Sequence, residues 1–233
     1  MKRFFKANKS VLALLGKVFL LIFLSAVIIA AYYYAPLAKG LKEYTRVMYF
    51  HVPAAWVTVL AFLISAWYSY LYLKKRDLLM DAYAAAANQL GILYCLVTTV
   101  TGAMWAKASW GAYWNWDPRQ TSIFILLLIY AAYFSLRSAI ENEQDRARLS
   151  AVYSLLAFAT VPFFIFIIPR IYESLHPDPL INDQAKIKMN IKMLQVFLSS
   201  LGGFTVLFLW MFNIKKRIIK LSAYFEEIEE ENE

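Results

Sequence analysis

Val18-Phe-Leu-Leu-Ile-Phe-Leu-Ser-Ala-Val-Ile-Ile-Ala-Ala-Tyr-Tyr-Tyr34 is a run without a single charge. Five more follow: Ala54 to Leu73, Ala82 to Met104, Thr121 to Leu136, Ser150 to Ile168 and Met193 to Ile214. All 24 Lys and Arg and all 16 Asp and Glu fall outside these six stretches. A charge in hydrocarbon is costly, and a helix needs roughly 20 residues to cross a bilayer core. The pattern therefore predicts six membrane-spanning helices. The two shorter runs borrow from their flanks: the first from the apolar residues before Lys17, the fourth from Ser138, Ala139 and Ile140. Composition agrees, since 233 residues at 61% hydrophobic and 17% charged, with a mean hydropathy of +0.50, are too apolar for an ordinary soluble domain. The expected fold class is all-α, a polytopic six-transmembrane-helix bundle.

The first run is long enough to span, and no small-residue cleavage site precedes the loop after it. It is expected to stay attached rather than to be removed as a signal peptide. Lys and Arg number 15 in the N-terminal segment, the alternate connections and the C-terminal tail, against 9 in the three opposite connections. By the positive-inside bias both termini are expected in the cytoplasm. The net charge of +8 is thus mostly topological. No contiguous basic patch with interleaved aromatics is present, so nucleic acid is an unexpected partner and the lipid bilayer an expected one.

Short connections and the lack of an internal repeat predict one compact membrane domain over 1–221. The residues 222–233 form an acidic tail, where Glu226, Glu227, Glu229, Glu230, Glu231 and Glu233 crowd together and are expected to fray into cytoplasmic solvent. The single cysteine, Cys95, sits mid-span, which leaves neither a disulfide framework nor a CxxCH motif.

The outer connections differ from the inner ones in kind. The second reads Trp105-Ala-Lys-Ala-Ser-Trp110-Gly-Ala-Tyr-Trp114-Asn-Trp116-Asp-Pro-Arg119-Gln-Thr-Ser122, holding four of the seven tryptophans within twelve residues. If helical before Pro118, it puts Trp110, Trp114 and Asp117 at i, i+4 and i+7 on one face. The expectation is then a short tryptophan-rich interfacial helix, an aromatic shelf edged by a carboxylate, with Gly111 leaving room for close approach to the backbone. The residues alone leave open a platform for a flat apolar ligand or an aromatic belt at the headgroups.

Both histidines of the chain lie on this same side: His51 at the mouth of the second span, and His176 just past the end of the fifth. Either alone reads as an ordinary interfacial residue. Together, flanking the aromatic segment, two neutral imidazoles suit the axial positions of a haem iron. Zinc would want a third or fourth strong ligand, and Glu43, Asp117, Glu173, Asp178 and Asp183 show no such spacing. Haem also brings two propionates, and Arg offers the forked donors that suit a carboxylate. Arg46 and Arg119, each near a proposed haem contact, are the expected partners; Lys107 and Arg170 read as headgroup anchors.

The stretch from Trp110 to Ser122 resembles the tryptophan-rich "WWD" signature of the haem-handling proteins of cytochrome c biogenesis. Within that superfamily, Arg46-Val-Met-Tyr-Phe-His51-Val-Pro-Ala-Ala-Trp56, the six spans and the length resemble the haem exporter protein C (CcmC) family. The resemblance implies a non-enzymatic, multi-pass protein of the cell inner (cytoplasmic) membrane. Such a protein binds haem b at the periplasmic face between the aromatic segment and two axial histidines, here His51 and His176, with Trp110, Gly111, Trp114, Trp116, Asp117, Arg119 and Arg46 around it. The implied partners are the haem chaperone CcmE, the ABC-type subunits CcmA and CcmB, and the small membrane subunit CcmD. Pro118 after the aspartate is a form commoner in larger relatives that ligate haem to apocytochrome, so a short CcsA-like component of cytochrome c synthase is the nearest alternative. A quinone-linked cytochrome b ranks lower because no predicted span contains a histidine, and a solute transporter lower still.

Overall fold

A computed structural model describes residues 2–38, 41–176 and 189–231, with side chains described over 11–38, 41–176 and 189–229. Lys39, Asp178, Asp183, Lys186 and Lys188 lie outside the described residues. The elements are α1 (Lys2–Tyr33), a 3₁₀ turn (Lys42–Val47), α2 (Met48–Lys75), α3 (Leu78–Trp110), α4 (Pro118–Ser138), α5 (Glu143–Pro162), a π-helical turn (Phe163–Ile167), α6 (Ile168–Ile171) and α7 (Ile191–Glu231). Six rods are long and apolar enough to cross a membrane, the fifth being α5, the π turn and α6 in series. Each outruns its charge-free stretch, because a helix can continue into the headgroup layer where charges are solvated.

Local sequence sets the rod ends. Arg76 adopts φ 59°, closing α2 on the Tyr72 carbonyl. Asp77 then caps α3 by accepting from Leu79 N, and Asn142 caps α5 by accepting from Asp145 N. The acidic tail, expected to fray, continues α7 as helix to Glu231. Glu, Ala and Leu are good helix formers, and extending an existing helix needs no new nucleus.

Small residues bring the central helices together. Ala54, Val57 and Ala61 of α2 meet Ala86, Ala87 and Leu90 of α3, with Phe208 and Phe212 of α7 filling the third side. A Cβ at Gly91 would collide with the Phe62 ring, which lies flat on Tyr130 of α4. Arg137 of α4 grips buried Asp81 of α3 through two bonds of 2.6 and 2.8 Å. Helix α1 is peripheral and packs on α7 through Ala31, Val196 and Phe197.

Proline shapes the site end of the bundle. Pro53 inside α2 has no N–H to give the carbonyl four residues back. That carbonyl, of Tyr49, instead accepts from the Ser200 hydroxyl of α7, so the proline's defect ties two helices. Pro162 and Pro169 bracket the π turn, a local widening of the helix that packs Phe164 and Ile165 against the bundle core while Phe166 stays exposed.

Candidate functional site

Helix α3 stops at Gly111, whose φ of 83° supplies the left-handed cap, and Lys107 donates to its carbonyl at 2.8 Å. Helix α4 starts at Pro118 in its first turn, with Asp117 as N-cap accepting from Arg119 N at 2.9 Å. Between them 111–117 is not helical, which corrects the expected tryptophan-rich interfacial helix. A left-handed glycine before it, a proline after it and Trp116 at φ 56° leave no run of helical dihedrals. The segment is instead a loop held by side chains: Gln120 accepts from Asn115 N and donates to the Tyr113 carbonyl, and Asn115 donates to the Ala112 carbonyl. Trp110, Trp114 and Asp117 therefore share a site without sharing a helix face.

A cavity of about 420 Å³ opens at this end of the bundle, of the size and apolar character of small-molecule pockets. It is lined by both histidines, by Trp114 and Arg119, by Val52, Thr98 and Gly102, and by Phe164, Phe166 and Arg170 from the fifth rod.

His51 stands in the first turns of α2, against α3. Its Nδ1 lies 3.0 Å from the Thr101 hydroxyl. That hydroxyl spends its proton on the Val97 carbonyl at 2.6 Å, so it accepts from the imidazole and Nδ1 carries the hydrogen. Nε2 keeps its lone pair. Gly102 makes room for the ring, since a Cβ there would come within 2.9 Å of His51 Cε1.

His176 reaches the same cavity from the other side. Its Nδ1 sits 3.0 Å from Asp117 Oδ1, and the carboxylate also accepts from Ser174 Oγ at 2.9 Å and Leu175 N at 2.7 Å. Burial alone would raise the Asp117 pKa; the hydrogen bonds from Arg119 N, Leu175 N and Ser174, and then the neighbouring His176, outweigh it and hold it below its ordinary value. An ionised Asp117 makes Nδ1 of His176 the protonated nitrogen, so here too Nε2 is the free donor. Burial is the main cause of a lowered His176 pKa, which Asp117 opposes and Arg119 reinforces. The ring stacks on Trp105 at 5.5 Å and meets the edge of Trp110 at 4.8 Å.

Two imidazoles line one apolar cavity, each engaged through Nδ1, and a neutral imidazole nitrogen is a donor that metal centres accept. Trp114, wedged edge-on against Trp116 and Phe124, forms part of the cavity wall, while Trp116 itself is 74% exposed.

Of the expected site residues, His51, His176, Trp114 and Arg119 line the cavity; Trp110 and Asp117 hold the His176 ring, Gly111 ends α3, Trp116 is exposed, and Arg46 is not among the lining residues. Its guanidinium caps the end of α1 through the Ala31 and Tyr32 carbonyls and pairs with Glu43, a stronger local attraction than an open cavity offers. Arg170, read from sequence as a headgroup anchor, lines the cavity with Arg119 instead. Lys107 stays on its own helix end. Thr101, Gly102 and the π turn also build the site, and of these only the turn carried a signal in the sequence, the prolines at 162 and 169; Trp105 belongs to the tryptophan cluster but was assigned no role there.

A family model described as heme exporter protein C matches residues 1–228. The chain is 31% identical over 184 residues to a putative cytochrome c biosynthesis ccmC-like mitochondrial protein of Marchantia polymorpha, covering 79% of this chain and 77% of the relative. It is 30% identical over 188 residues to heme exporter protein C of Rhodobacter capsulatus, covering 80% and 77%. With heme exporter protein C of Paracoccus denitrificans it shares 29% identity over 172 residues, covering 74% and 71%.

Proposed function

The chain belongs to the heme exporter protein C family, and from that premise we propose that it holds haem b between His51 and His176 and hands it to the chaperone CcmE. Family membership makes it a multi-pass, haem-handling membrane component with a role in haem delivery for cytochrome c maturation, and not an enzyme. The finer reading has the protein in the inner membrane with both termini cytoplasmic and the cavity opening to the periplasm, beside CcmA, CcmB and CcmD. The Lys and Arg distribution of the connections supports that orientation.

One observation carries the reading. Two histidines line one cavity, and each has its Nδ1 engaged, by Thr101 in one case and Asp117 in the other. Neutral Nε2 atoms bind iron without a covalent link to the porphyrin, which suits a cargo that must leave. Arg119 and Arg170 are the residues positioned to meet propionates, and Trp110 and Trp105 hold the His176 ring against rotation. Phe164 and Ile165, half-buried against the bundle core, form the apolar edge.

The test is the visible absorption spectrum of detergent-purified protein. A b-type spectrum that weakens or changes form in both His51→Ala and His176→Ala is expected. Unchanged haem content and spectrum in both variants would sink the axial assignment.

A further inference from the structure

At the opposite end of the bundle a second cavity, of about 510 Å³, runs as an apolar groove between α2 and α7. Leu63, Trp67 and Tyr68 form one wall, Leu209 and Phe212 the other, and Lys216 closes one end. Leu63 lies roughly 18 Å along α2 from His51 at 1.5 Å per residue, so this groove is separate from the histidine cavity. Leu63, Trp67 and Leu209 are exposed at its lips, in stretches of helix apolar enough to be embedded in the membrane.

Lys216 is half-buried, with Nζ 5.1 Å from the Phe212 ring and 5.9 Å from the Tyr83 ring. Among the described residues no carboxylate lies within ion-pair distance of it. Its neighbour Lys215 is already engaged by Gln89 at 2.6 Å. A cation held over aromatic faces at the end of an apolar trough calls for an anion carrying a hydrocarbon chain. From Leu209 to Lys216 the trough runs about 10 Å along α7, enough for the upper half of an acyl chain. Lys216, Arg217 and Lys220 follow the end of the last charge-free stretch, the level at which lipid phosphates sit.

We infer that this groove is a binding site for one anionic phospholipid, its acyl chain between α2 and α7 and its phosphate on Lys216. The lipid would brace α7 against α2 below the histidine cavity, where Ser200 to Tyr49 and Trp56 to Thr205 already tie those helices.

The experiment is native mass spectrometry of the full chain relipidated from equimolar phosphatidylglycerol and phosphatidylethanolamine. One phosphatidylglycerol should be retained in about five-fold preference, the ratio expected of a single well-placed lysine. Lys216→Glu should bring the ratio to parity, Leu209→Trp should fill the groove and lower retention, and Lys220→Glu should leave both unchanged. Equal retention of the two lipids by the unaltered protein overturns the proposal, as does an equal loss in Lys220→Glu, which would mean general surface attraction. A photo-crosslinking residue at Leu63 in native membranes gives a second readout: a phospholipid adduct supports the site, and a protein adduct replaces the lipid by a partner's transmembrane segment and overturns it.

Discussion

Nδ1 of His176 lies 3.0 Å from Oδ1 of Asp117, and the same carboxylate caps the first turn of α4. One side chain thus fixes both where a helix begins and which imidazole nitrogen is free. Asp117→Asn keeps an oxygen for the Arg119 N–H but removes the charge that fixes the tautomer. Loss of such a partner to a ligating histidine typically costs about 10–100-fold in metal affinity, and haem dissociation into an apo-globin scavenger should speed up accordingly. Asp117→Ala should in addition lower the melting temperature, since a lost N-cap costs about 0.5–2 kcal/mol.

Burial holds the His176 pKa below its ordinary value of about 6.5. The ligating form is neutral, so haem occupancy should stay level as pH falls through about 6.5 and drop only at more acidic values, where the buried ring takes up its proton. Stability follows the same sign: the unfolded chain protonates this histidine first, so folding weakens as pH falls below the unfolded value. Asp117 raises the His176 pKa, so Asp117→Asn should lower the pKa of this imidazole in the haem-free protein, read by nuclear magnetic resonance; a raised value would contradict the assigned causes.

Gly102→Ala adds one methyl group 2.9 Å from His51 Cε1. Alanine is favoured over glycine in a helix by about 0.5–1 kcal/mol, so thermal stability should hold or rise slightly. The imidazole must move, and the haem spectrum should lose its six-coordinate character. A variant as stable as its parent with an unaltered spectrum would show that His51 tolerates displacement.

The two arginines separate stability from ligand. Arg46→Ala removes donors to the last carbonyls of α1 and should loosen that helix without touching the haem spectrum. Arg170→Ala leaves α1 alone and should weaken haem retention several-fold, measured by the same scavenger, with no change in melting temperature beyond about 0.5 kcal/mol.

Much of the architecture was legible in the sequence because hydrocarbon excludes charge, and six charge-free runs admit few other folds. The loop at 111–117 was misread by applying a helical spacing to Trp110, Trp114 and Asp117. Gly111 and Pro118, which punctuate the segment, carried the better signal. His51, His176, Trp114 and Arg119 could be named because their residue types are rare or clustered. Thr101 and Gly102 could not, since each is one more small residue in an apolar span until α2 sets His51 against them. Arg46 is absent from the cavity lining and Arg170 present in it because nearness along the chain to a histidine says little about which way a guanidinium turns. Arg46 found helix-end carbonyls, and Arg170, in α6 just past the widened turn, donates back to the Phe166 carbonyl at the cavity edge.

Whether two imidazoles share one iron is tested most directly by the electron paramagnetic resonance spectrum of the ferric, haem-loaded protein. A low-spin signal is predicted for the unaltered chain, turning high-spin in either His51→Ala or His176→Ala and returning to low-spin when free imidazole is added. A low-spin signal that survives both substitutions, or a high-spin signal from the start, would contradict the account.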